Sequence, residues 1–232
     1  MNPPAASLRL YSAQVCPFAQ RTRLVLFAKG PDYELIEIDL DDPPPEFQAI
    51  SPYGKVPLLE HGEERLWESA VINEYIEECF PESPLMPDAP GQRATTRIWI
   101  DYANNYFVPL FYKLLLKQAV EEQHAIAVRL TESLRFLESQ ALVQAAPYWM
   151  GGEPNLVDFS FYPFFERFPV LEHFCGFTVP EDCRRLANWL DAMVGLPAVR
   201  QYANSPAFYL ERYQRHANAT VDNDTTREML EK

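Results

Sequence analysis

Leu8-Arg9-Leu10-Tyr11-Ser12-Ala13-Gln14-Val15-Cys16-Pro17-Phe18-Ala19-Gln20-Arg21-Thr22-Arg23 is the stretch on which the fold turns. The apolar run Leu8 to Tyr11 ends at polar residues. Cys16-Pro17 then opens a helical pattern through Phe18, Val25 and Ala28 to Lys29-Gly30. Proline at the first helical position and glycine just past the last turn bracket a helix, so the stretch predicts strand, loop, helix.

Working outward, Tyr33 to Leu40 alternates Leu35, Ile36 and Ile38 with Glu34, Glu37 and Asp39, and Pro43-Pro44-Pro45 breaks it. This predicts a second strand and a turn. A short amphipathic stretch, Glu46 to Ile50, leads to Ser51-Pro52-Tyr53-Gly54 and two short strands at Val56 to Leu59 and Arg65 to Trp67. Ser69 to Cys79 places Val71, Ile72, Tyr75 and Ile76 at helical spacing, and the proline-rich 80–90 segment ends that helix. Beyond Gly91 strand signals nearly vanish. Arg93 to Val120, Glu121 to Ala145, Leu156 to Phe168 and Glu181 to Val194 all read as helices. The expected organisation is an α/β domain over 1–82, a linker at 83–90, an all-helical domain over 91–216 and a polar tail at 217–232. That tail has few apolar anchors and is expected to fray.

Hydrophobic residues make up 47% of the 232 and charged residues 23%, which allows a sizeable core without staples or metal. Acidic residues outnumber basic ones 33 to 20, and a net charge of −13 repels phosphate backbones and anionic membrane surfaces. Nucleic acid and membrane are therefore not expected partners. Residues 1–7 lack the basic cluster and apolar core of a secretory signal, so a cytoplasmic location is expected. The patterns at Asn218-Ala219-Thr220 and Asn223-Asp224-Thr225 then read as chance matches to a glycosylation acceptor. His173 with Cys175 suggests a metal, but no adjacent pair completes four ligands, so no metal is expected.

Cysteines stand at 16, 79, 175 and 183, too sparse for a disulfide scaffold. A free cysteine is commonly a small core hydrophobe. Cys16 differs because it lies where unpaired backbone N–H groups and the helix dipole stabilise a thiolate, which serves disulfide exchange both as nucleophile and as leaving group. Ala19 stands where a Cys-x-x-Cys redox motif would place its second cysteine, so no resolving cysteine lies one turn on and an external thiol must resolve any mixed disulfide. Val56-Pro57 is open to two readings, a plain edge-strand proline or a cis turn. A cis turn would let Val56 pair with an extended peptide, as a tripeptide thiol requires. Ser69 reads as a helix cap or, with the free N–H groups beside it, a carboxylate holder. Lys55 and Glu68 in isolation read as solvated surface charges.

Taken together, Cys16-Pro17-Phe18-Ala19-Gln20-Arg21-Thr22-Arg23, Gly54-Lys55-Val56-Pro57 and Glu68-Ser69-Ala70 resemble the omega, or cysteine-type, class of cytosolic glutathione transferases. The resemblance continues through Asn73-Glu74-Tyr75-Ile76, Pro84-Leu85-Met86-Pro87, Gly151-Gly152 and Asn155-Leu156-Val157-Asp158, the last read as a helix-capping box. It implies a thioredoxin-like domain that binds glutathione, an all-helical domain that supplies a second-substrate pocket, and a homodimer. By resemblance, Cys16 forms the mixed disulfide and Phe18 packs beside the sulfur. Lys55 meets the glycyl carboxylate, Val56 pairs with the cysteinyl backbone beside cis Pro57, and Glu68 with Ser69 holds the γ-glutamyl end. The implied activity is thiol transfer or glutathione-dependent reduction, such as deglutathionylation or dehydroascorbate reduction. In the helical domain, Tyr102 and Tyr106 are the candidate lining of the second pocket. They interleave with Phe107, Phe111 and Tyr112 in an aromatic stripe of the kind that more often forms core.

Two rivals remain at this level. Tyr11 or Ser12 would serve a conjugating transferase that activates the glutathione thiol itself. The Glu68 to Pro87 segment also resembles stringent starvation protein A, a non-catalytic partner of RNA polymerase, whose relatives lack a cysteine matching Cys16.

Overall fold

The computed structural model describes residues 7–142, 146–218, 220 and 224–231. It forms two compact units, Met1–Met86 and Pro87–Lys232.

In the first unit β1 (Leu8–Ser12), α1 (Pro17–Lys29), β2 (Glu34–Glu37), α2 (Pro45–Ile50), β3 (Leu58–His61), β4 (Glu64–Trp67) and α3 (Ser69–Cys79) follow in order. The sheet order is β2-β1-β3-β4. β1 pairs parallel with β2, placing Leu10 against Leu35, and antiparallel with β3, placing Leu10 against Leu59. A parallel pair requires a crossover, and α1 supplies it. The start and stop signals of α1 fall where composition put them, with Pro17 in the first turn and Gly30 left-handed at φ 79°.

α1 buries more than one face. Alongside Ala19, Leu24, Val25 and Leu26 it buries Arg21, Arg23 and Lys29, and it packs against α3. Buried charges need partners. Lys29 Nζ meets Glu77 Oε2 on α3 at 2.7 Å and the Ser83 carbonyl at 2.7 Å. Glu77 also accepts the backbone N–H groups of Leu85 and Met86. One buried ion pair thus ties α1, α3 and the chain that leaves the unit.

In the second unit the long pattern from Arg93 to Val120 is two helices, α4 (Pro90–Tyr102) and α5 (Val108–Leu116), joined by a π-turn over Ala103–Phe107. Pro109 has no N–H to return to residue 105, and the ladder widens here, with Val108 N–H bonded to Ala103 O. α6 (Val120–Phe136) ends in a second π-turn over Leu137–Ala141. Ala145, the expected end of that helix, lies outside the described residues. α7 (Leu156–Phe165), α8 (Phe168–Cys175), α9 (Arg184–Gly195), α10 (Pro197–Tyr202) and α11 (Pro206–Ala217) follow. Phe107, Phe111, Phe161 and Phe164 form a fully buried aromatic core.

The capping box takes the form expected. Asn155 Oδ1 accepts Val157 N–H at 2.7 Å, and Asp158 Oδ2 accepts Asn155 N–H at 2.8 Å. Asp158 also accepts Trp149 N–H and, at 2.7 Å, Trp189 Nε1–H on α9, so the cap joins three segments.

The expected fraying of the tail is corrected for its last part. Asp224–Glu231 forms a helix, α12, that packs on α5 with Met229 only 5% exposed. Composition counted too few apolar residues to hold the tail, but Met229 and Thr226, three residues apart on one face of the helix, are both buried. Among the described residues no helix is long and apolar enough to cross a membrane.

Candidate active site

Cys16 is the N-cap residue of α1, extended at φ −76° and ψ 119°. Its N–H bonds Ala13 O at 2.9 Å, and its carbonyl accepts Gln20 N–H at 3.0 Å, closing the first turn. Cys16 is half-buried and packs against the core cluster of Ala13, Ala19, Ile38, Phe47, Val56 and Leu58. Sγ donates to the Val56 carbonyl at 3.7 Å, and Val56–Pro57 is a cis peptide. The sulfur therefore lies at the backbone edge that precedes β3. Ser51 Oγ fixes that edge by accepting Lys55 N–H at 3.0 Å and donating to Lys55 O at 3.1 Å. The Lys55 ammonium lies 5.9 Å from the Tyr53 ring.

At the other end of the same surface Ser69 is buried in the first turn of α3, and Glu68 before it is exposed. Glu68 has φ 68°, the one positive value among the described residues other than glycine. A non-glycine residue held there costs of order 1–3 kcal/mol, and such strain gathers at ligand clamps. Arg21 joins this end to the first: its guanidinium lies 5.1 Å over the Phe18 ring and donates to Ser69 Oγ at 3.4 Å.

The first unit thus brings Cys16, Val56 and Pro57 into one cluster and links Phe18 to Ser69 through Arg21. The Glu68 side chain beside this chain of contacts is exposed. Sequence reasoning passed over Ser51 and Arg21. Ser51 could have been found from its place before a Pro-Tyr-Gly turn, where hydroxyls close loops. Arg21 carries no such signal, since an arginine inside a helix reads as solvent-facing.

The other thiols differ in environment. Cys183 is also an N-cap residue, of α9, but it is 2% exposed, and burial together with Asp182 and Glu138 pushes its thiol up. Burial pushes Cys175 up to about 11, and its Sγ donates to Leu114 O. Cys79 is exposed at the end of α3. Of the two thiols at helix N-termini, only Cys16 combines that position with partial exposure. Tyr11 and Ser12 are both engaged elsewhere. Tyr11 donates to Glu60 at 3.0 Å, with burial first and then Glu60 raising its phenol, and buried Ser12 accepts from Arg23 at 2.8 Å. Among the described residues no group of three or more His, Cys, Asp or Glu side chains could hold a metal ion.

In the second unit the aromatic stripe divides. Phe107, Phe111 and Tyr112 are core, whereas Tyr102 and Tyr106, stacked at 5.2 Å, line an open depression of about 280 Å³ with Glu132, Ser133 and Phe136. Tyr102 donates to or accepts from Ser133 Oγ at 2.9 Å, and burial raises its phenol. Nothing in the sequence pointed to the three residues from α6, which reach the depression only through helix packing.

A mixed four-stranded sheet with a cysteine at the first helix, followed by an all-helical unit, defines the architecture of a glutathione transferase. The N-terminal domain of Glutathione S-transferase matches residues 10–84 and the C-terminal domain matches residues 117–192. Glutathione S-transferase omega-1 of Sus scrofa is 32% identical over 198 residues, covering 84% of this chain and 80% of that protein. A tau class glutathione S-transferase from mango, Mangifera indica, superposes with a TM-score of 0.85 at 26% identity, over 91% of this chain and 99% of that one. Rice GST1 in complex with glutathione superposes with a TM-score of 0.82 at 30% identity, over 90% and 97%. The chain belongs to the glutathione S-transferase family, and its sequence resembles the omega class.

Proposed function

We propose that this protein is a glutathione-dependent thiol transferase and reductase that works through a Cys16–glutathione mixed disulfide. The observation that carries the reading is the half-buried Cys16 thiol at the N-terminus of α1, 3.7 Å from the Val56 carbonyl. The Cys16 thiolate attacks the glutathionyl sulfur of a mixed disulfide R–S–S–G. A Cys16–S–S–G bond forms, the original S–S bond breaks and RS⁻ leaves to take a proton. A second glutathione thiolate then attacks the enzyme-bound glutathionyl sulfur, which releases oxidised glutathione and restores Cys16. The net change is R–S–S–G plus glutathione giving RSH plus oxidised glutathione, with two electrons accounted for. The helix N-terminus favours the thiolate in each half as attacking and as leaving group. Ala19 supports resolution from outside, since no second thiol lies one turn away. Dehydroascorbate reduction draws its two electrons from two glutathiones in the same way.

Glutathione is the only cofactor this chemistry needs. Its glycyl carboxylate goes to Lys55, its cysteinyl backbone to Val56 beside Pro57, and its γ-glutamyl end to Glu68 and Ser69, with Phe18 beside the sulfur. Tyr102 and Tyr106 contribute to the second-substrate site. We place the glutathione-binding domain in 1–82, the linker in 83–90 and the helical domain in 91–216, and we place the protein in the cytoplasm as a homodimer. The competing chemistry, activation of glutathione by Tyr11 or Ser12 for conjugation, meets two side chains already engaged with Glu60 and Arg23.

The test is intact-mass and peptide analysis after exposure to oxidised glutathione. One glutathionyl group that forms at Cys16, and is removed by reduced glutathione, is expected. A Cys16 that stays unmodified while exposed Cys79 reacts would overturn the proposal.

A further inference from the structure

We infer that Arg21 is a positioning residue for the glutathione site, acting through the hydroxyl of Ser69. The inference rests on the proposal that Ser69 holds the γ-glutamyl carboxylate. Arg21 is 1% exposed and lies on α1, with Nη1 3.4 Å from Ser69 Oγ and its guanidinium 5.1 Å over the ring of Phe18. It contacts two residues of the candidate site, one on each helix, from inside the protein.

A serine hydroxyl has one proton to donate and two lone pairs to accept with, and unaided it rotates among partners. A guanidinium can only donate and does not lose its proton in proteins. Facing Arg21, Ser69 Oγ must therefore present a lone pair, which turns its O–H away from α1. At the first turn of α3 that proton joins the backbone N–H groups a helix start leaves without intrahelical acceptors. A carboxylate arriving there finds donors already oriented, without the cost of reorganising a hydroxyl that could equally have been accepting. The charge contributes as well, because a cation shielded from water keeps its field near the anion it serves. In a chain of net charge −13 such a local cation offsets part of the repulsion that an anionic ligand end meets.

The alternative role for Arg21 is a tether between α1 and α3 with no bearing on the ligand. A double-mutant cycle on the KM for the mixed-disulfide substrate separates the two, with the full chain assayed at saturating glutathione, because the glutathionyl half of that substrate is what occupies the Ser69 site. Losing a hydrogen bond to a charged group corresponds to about tenfold or more in affinity, so Arg21→Gln and Ser69→Ala should each raise this KM by about that factor. The double variant should match Ser69→Ala within about twofold, because the two residues act as one unit. Alkylation of Cys16 by iodoacetamide should proceed in Arg21→Gln as in the parent, since that reagent needs no carboxylate site. Independent, multiplying effects on KM would overturn the role of Arg21 and leave the glutathione assignment standing. An unchanged KM in Ser69→Ala would overturn both. Should Arg21→Gln fail to fold, Arg21→Lys keeps a buried cation but not the planar fork. A KM raised roughly threefold, and raised by adding Ser69→Ala only to the value of Ser69→Ala alone, supports the inference, and a KM equal to the parent's overturns it.

Discussion

At the scale of the residue, position in a helix and access to water together separate the thiols. Cys16 and Cys183 both cap helices, yet only Cys16 is half-exposed, whereas Cys183 lies in the core beside acidic neighbours. Asp158 shows the converse, a buried acid whose task is to hold structure. Burial raises its carboxyl to about 6, and the N–H donors of Trp149, Trp189 and Asn155 pull in the opposite direction without fully offsetting it. An unfolded aspartate titrates near 3.9. Between about pH 4 and pH 6 the folded state therefore holds more protons than the unfolded state, and this group adds stability as pH falls through 6. The swing is roughly 2–3 kcal/mol. Asp158→Asn removes the titration and turns a donor toward Asn155 N–H. The stability gap between parent and variant, read by urea unfolding, should widen from pH 7.5 to pH 5, and a gap independent of pH would contradict the assignment.

At the scale of the element, α1 explains both what was legible in the sequence and what was not. Its boundaries were legible because they are local: Pro17 fits a first turn, and Gly30 takes the left-handed conformation a stop requires. Its surroundings were not, because burial of Arg21 and Lys29 is decided by partners on α3 and at Ser83, about fifty residues away, and that of Arg23 by Ser12 on the adjoining strand, whose pairing periodicity does not show. The same limit applies in the helical unit. Helical periodicity runs through Pro109 without revealing the π-turn, and Pro169, which opens α8, sits within an apolar pattern. The core half of the aromatic stripe could not be told from the exposed half without knowing how α4 and α6 pack. The buried pair that anchors α1 can be tested directly. Glu77→Gln leaves Lys29 buried and without its carboxylate, which should cost roughly 3 kcal/mol by chemical denaturation, whereas breaking an exposed pair such as Arg135–Asp182 should leave the denaturation midpoint nearly unchanged.

At the scale of the whole molecule, the chain assigns its resources unevenly. The first unit supplies a thiol, a backbone edge and a strained helix start, the features on which the proposed recognition of one peptide ligand rests. The second supplies an aromatic depression with few directional groups, suited to varied partners. That division makes Cys16 the point on which the proposed activity depends. The most direct test is the steady rate of glutathione-dependent hydroxyethyl disulfide reduction by the parent and by Cys16→Ser, with retention of fold checked by circular dichroism. Loss of one cysteine nucleophile should lower that rate by at least about a hundredfold, with conjugation of an electrophilic aromatic kept or gained. A Cys16→Ser protein that reduces the disulfide at the parent's rate would contradict the account.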